Sequence, residues 1–133
     1  MVISGTEATA LATNDLRLVK QSTASTGGTA TTATNVPFDS ANAAATAVFK
    51  GYTVAPTQGT ILGAIAVAKL SLVLATTVTP APIRFDFQAL PAGSRPTLHT
   101  AAETLTLDLN GATPADAPSL DIYAWWTEEP LNA

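Results

Sequence analysis

The chain has 133 residues, of which 47% are hydrophobic and 12% charged, with a formal net charge of −4 and no cysteine. That length makes one domain, able to bury roughly two thirds of the surface its unfolded form exposes. The lack of cysteine excludes a disulfide framework, thiolate metal sites and a thiol nucleophile. Charge this sparse, against about 25% in an average soluble domain, points to a surface that a partner covers.

The charge is also unevenly placed. All six basic residues and four acidic ones (Glu7, Asp15, Asp39, Asp86) fall in residues 1–100, for +2, while residues 101–133 hold six acidic residues and no basic one, for −6. No Lys/Arg cluster occurs, which argues against nucleic acid as a partner, because phosphate neutralisation needs basic side chains gathered on one face.

In chain order, "MVISGTEATALATND" has no basic stretch followed by an apolar core. No secretory signal is expected, and the mature chain is read as starting here. Residues 1–40 read as an N-terminal arm and a first strand, with alternation only at "LRLVK". "STASTGGTATTATN" is of low complexity and is expected to lie extended on a surface or to be partly mobile. From Ala47, "AVFKGYTVA" alternates as a strand and "PTQGT" turns.

The most apolar stretch, "ILGAIAVAKLSLVLA", is shorter than the roughly 20 residues of a membrane helix and carries Lys69. No membrane partner is expected. Gly63, the β-branched Ile61, Ile65, Val67 and Val73, and the alternation at Leu70, Leu72 and Leu74 favour two strands or one bent strand over a helix.

The period of two is clearest in "PAPIRFDFQAL", where Ile83, Phe85 and Phe87 face one way and Arg84, Asp86 and Gln88 the other. Next, "ETLTLDLNG" places Leu105, Leu107 and Leu109 inward. In "SLDIYAWWTEE" alternation puts Leu120, Ile122, Ala124 and Trp126 on the core face, and Asp121, Tyr123, Trp125 and Thr127 on the other. Six to eight strands with turns between them predict an all-β fold, an antiparallel β-sandwich of jelly-roll type with an extended N-terminal arm. Residues 41–133 form the sandwich of a single domain.

Catalytic chemistry finds little support. His99 is the sole histidine, and no serine sits in a G-x-S-x-G context. Asp86, Asp108, Asp121, Glu128 and Glu129 occupy positions where alternating strands carry polar residues in any case. No calcium loop is present, and "TGGTA" lacks the Lys of a phosphate loop. The expectation is a non-enzyme without cofactor or metal.

An interface is the better candidate. Tyr123 and Trp125 share a face away from the core, and exposed aromatics mark contact surfaces; a segment of the same chain is the alternative cover. Arg84 and Asp86 share the outer face of one strand, within reach of another subunit. Glu128 and Glu129 stand at the rim and are placed to meet Arg17 or Lys20.

Three of these segments together resemble a family. An "RFDF" strand (Arg84 to Phe87), an "LDLNG" strand ending in a Pro-rich turn (Leu107 to Gly111) and a last strand closing on "WTEE" (Trp126 to Glu129) are similar to the signature of small virion proteins of tailed bacteriophages, encoded near the major capsid protein. The resemblance spans about residues 60–129. It implies a β-sandwich, made in the host cytoplasm, that decorates or cements the phage head as a homotrimer bound to the major capsid protein. The alternative is a head-fibre or tail-associated jelly-roll module that stacks host-surface glycans on Tyr123 and Trp125.

Overall fold

The computed structural model describes residues 1–7, 12–74, 81–111 and 119–128. It is all-β: strands β1 (Val2–Glu7), β2 (Ala12–Gln21), β3 (Thr29–Thr32), β4 (Lys50–Val54), β5 (Ile61–Leu74), β6 (Ile83–Arg84), β7 (Thr104–Asp108) and β8 (Ser119–Tyr123), with a short 3-10 turn at Ala92–Ser94. Two compact units are present. The larger comprises residues 1–24 and 60–125, and the smaller residues 25–59 and 126–133.

The larger unit is one six-stranded mixed sheet in the order β6-β1-β5-β2-β7, with β8 paired to β1. The apolar run from Ile61 forms one strand and not two, with the strand character that its β-branched content and Leu alternation predict. It pairs antiparallel with β2 from Ala12↔Leu72 to Gln21↔Ile61, with register shifts at Leu18/Val19 and Lys20/Gln21. Those shifts leave Ile65 and Leu62 as extra residues on β5. At the first of them, beside the bulge that Ile65 makes in β5, the buried positions of β2 change from Leu16 and Leu18 to Val19 and Gln21. Ile65 and Leu62 are correspondingly exposed.

β1 sits inside the sheet. It pairs antiparallel with β8 from Val2↔Tyr123 to Thr6↔Ser119, antiparallel with β6 at Val2 and Ile3, and parallel with β5 at Thr6↔Val73 and Glu7↔Leu74. The expected purely antiparallel arrangement therefore needs correction, because the pattern of two encodes which face is buried and carries no information on which strand becomes a neighbour or in which direction it runs. The N-terminal arm is corrected in the same way. Residues 2–7 and 12–21 are interior strands, and Ile3, Leu16, Leu18 and Val19 are buried.

Ile3, Leu16, Leu70, Leu72 and Phe85 form the buried cluster, with Ile83, Phe87, Leu107, Leu109, Leu120 and Ile122 packed on it. Phe85, Ile83, Phe87, Leu107, Leu109, Leu120 and Ile122 are the inward residues expected from alternation, whereas Ile3 and Leu16 come from the segment read as an arm; β6 has ladder pairing only at Ile83 and Arg84. Leu105, expected inward, is 36% exposed near the end of β7.

The smaller unit has no buried residue among those described. Its β3 and β4 pair antiparallel from Thr29↔Val54 to Thr32↔Lys50, and a bridge joins Thr26 to Thr57. The low-complexity tract is thus partly a strand. Gly27 and Gly28 both have φ of +71°, and a Cβ on Gly28 would lie 2.6 Å from the Val54 carbonyl oxygen. Those glycines set a turn that other residues enter only with strain.

Candidate interaction surface

β8 owes its place to two inward side chains, Leu120 and Ile122, that pack on the core while Ser119, Asp121 and Tyr123 face outward. Among the described strands it pairs with β1 alone, so one of its edges is open. An open edge offers unpaired N–H and C=O groups to any strand that approaches. Tyr123 ends this edge strand 67% exposed, and Trp125 follows at 38%. Two large aromatic side chains thus stand partly exposed at the end of an edge strand whose other outward residues, Ser119 and Asp121, are polar.

Trp126 is a correction. Alternation assigned it to the core beside Ile122, but β8 ends at Tyr123, so the period of two does not extend to it. It is 40% exposed and belongs to the smaller unit, where its indole Nε1 donates to Glu128 Oε1 at 3.2 Å.

The charged candidates have local partners. Arg17 donates from Nε and Nη2 to both oxygens of Asp108, at 2.9 and 3.0 Å, across the β2–β7 ladder. This bidentate bond raises the Arg17 pKa further. Asp108, read as solvent-facing, has only 10% of its side chain exposed. Lys20 reaches the Thr97 carbonyl at 2.8 Å and Glu103 at 3.3 Å. Glu103 is held below the usual carboxylate range, first by the His99 backbone N–H and then by Lys20. Asp15 is lowered by Lys69.

Arg84 and Asp86 do share an outer face, where they pair with each other at 3.1 Å, and Asp86 also accepts the Gln88 N–H. Such exposed pairs contribute little stability. His99 is exposed, and its backbone N–H donates to Glu103. Glu129 lies outside the described residues.

Glu128 accepts the backbone N–H of Thr46 (2.8 Å), the Thr46 hydroxyl (2.8 Å) and the Ala47 N–H (2.7 Å). These bonds, that from the Thr46 backbone first, hold its pKa at about 2, against an ordinary value of 4.5. A carboxylate that prefers its charged form when folded stabilises the fold fully above pH 4.5, and that contribution disappears as pH falls from 4.5 through about 2. Carbon-detected NMR titration is expected to find Glu128 still ionised at pH 3.

Glu7 escaped the sequence reading. It is 2% exposed at the end of β1, and neither carboxylate oxygen has a hydrogen-bond partner among the described residues. The signal was present, since Glu7 continues the inward series Ile3 and Gly5.

Among the described residues no three His, Cys, Asp or Glu side chains converge as metal ligands, and no helix is long and apolar enough to cross a membrane. No family model, curated protein or solved structure matches the chain.

Proposed function

We propose that the chain is a non-enzymatic virion protein, a decoration or cement protein on the outside of a phage head that stabilises the shell through contacts among its own copies, as a homotrimer, and with the major capsid protein. The strands would close as a sandwich of jelly-roll type. The observation that carries this reading is the open edge of β8 ending in exposed Tyr123 and Trp125, since aromatic side chains dominate protein contact surfaces. The similarity of the "RFDF", "LDLNG" and "WTEE" segments to phage virion proteins supports it. Cementing needs area and no chemistry, because a modest contact repeated over a shell adds up by avidity.

The test is the mass of the purified protein by light scattering, followed by sedimentation with capsids that lack it. A trimer that co-sediments is the expected result. Replacing Tyr123 and Trp125 together by Ala is expected to leave the fold intact and weaken binding at least roughly thirtyfold, the effect of losing about 2 kcal/mol at one interface hot spot. A monomer that ignores capsids would overturn the reading. The same exposed rings support glycan stacking as the second reading, and a glycan array then tests it.

A further inference from the structure

The smaller unit poses a physical problem. A two-stranded ribbon is marginally stable at best in water, and this one has no buried side chain among its described residues, with Val36, Phe38 and Val48 exposed at 79%, 97% and 59%. Hydrogen bonds must therefore supply much of its order. Beyond Thr32 the ladder continues through Ala33 N–H to the Phe49 carbonyl (3.0 Å), and the Asn35 side chain donates to the Ala47 carbonyl. Ala47 is thus gripped twice, at its carbonyl by Asn35 and at its N–H by Glu128. Glu128 comes from a segment about 80 residues away in sequence.

Both oxygens of Glu128 are in use. Oε2 takes the Thr46 N–H and hydroxyl, and Oε1 takes the Ala47 N–H and the Trp126 indole. Hydrogen bonds from N–H groups to an ionised carboxylate are about twice as strong as neutral ones. We propose that Trp126–Glu128 is a strap that orders residues 33–49 in the free chain, with the Glu128 carboxylate clasping the Thr46–Ala47 corner. The apolar tip bearing Val36 and Phe38 is then presented preformed, which lowers the entropic cost of any later contact. The strap forms within the free chain, so no capsid is needed to detect it.

Hydrogen exchange by NMR and limited proteolysis on the whole chain provide that test. In Glu128→Ala, amide exchange at Thr46 and Ala47 is expected to accelerate at least about tenfold, with trypsin cleavage after Lys50 accelerating alike, while protected amides of β2 and β5 are unchanged. Glu128→Gln is expected to behave like Glu128→Ala, because a carboxamide has one acceptor oxygen and its NH2 would face a peptide N–H. Thr127→Ala, one residue away, is the control. Unchanged exchange at Thr46 and Ala47 in Glu128→Gln would overturn the strap, and so would loss of β2 and β5 protection along with it, which would make Glu128 a general stability residue.

Discussion

Leu72→Ala is expected to lower the unfolding free energy by about 2–5 kcal/mol. Leu72 is 1% exposed and packs in the cluster of Ile3, Leu16, Leu70 and Phe85, so its removal deletes transfer energy and leaves a cavity that strand backbones cannot close. Against a total of about 5–15 kcal/mol for a domain of this size, that is a large fraction. Urea denaturation followed by tryptophan fluorescence would measure it. A cost under about 1 kcal/mol would mean that these side chains are not the core.

Gly5→Ala is expected to cost about 1–3 kcal/mol, although it adds only a methyl group. The new Cβ would lie 2.5 Å from Leu120 Cδ2, 2.7 Å from Leu72 Cδ2 and 2.9 Å from the Ser119 carbonyl oxygen. The two leucine methyls are able to turn away, but the Ser119 oxygen belongs to the β1–β8 ladder, where Thr6 faces Ser119. Relief at that point requires the strands to part. The two substitutions are therefore coupled: with Leu72 already Ala, Gly5→Ala should cost less by at least about 0.5 kcal/mol, because one of the three contacts has gone. Strict additivity in a double-mutant cycle would show that Leu72 does not constrain Gly5, leaving Leu120 and the Ser119 carbonyl as the cause.

Taken together, these predictions place the stability of the larger unit in its side-chain packing and the order of the smaller one in a handful of hydrogen bonds. The contrast has a functional side. If residues 33–49 and the edge of β8 both meet partners, substitutions at Val36 or Phe38 should alter binding without altering the stability of the sheet, because these side chains lie outside its core. Measuring both quantities on one variant, Phe38→Ala, separates the two roles.

Where side chains alternate in sequence, the buried face was legible. Ile83, Phe85, Phe87, Leu107, Leu109, Leu120 and Ile122 all pack on the core as the pattern of two requires. The apolar run at Ile61–Leu74 is a strand because β-branched residues and Gly63 disfavour a helix. Tyr123 is exposed as alternation along β8 requires, but the strand ends there, and Trp125 and Trp126 beyond it are exposed to nearly the same degree, 38% and 40%.

Composition and local pattern thus determined the all-β class and the inward residues of the strands after residue 60, since each follows from residues a few positions apart, while Ile3, Leu16, Leu18 and Val19 came from a segment read as an arm. Only the tertiary structure decided that β1 runs parallel to β5, that β2 changes its buried face beside a bulge, and that Glu128 clasps Thr46 and Ala47. These outcomes depend on which distant segments meet. Competing pairings of similar strands, or of one carboxylate with several possible donors, differ by small free energies that only the assembled chain resolves.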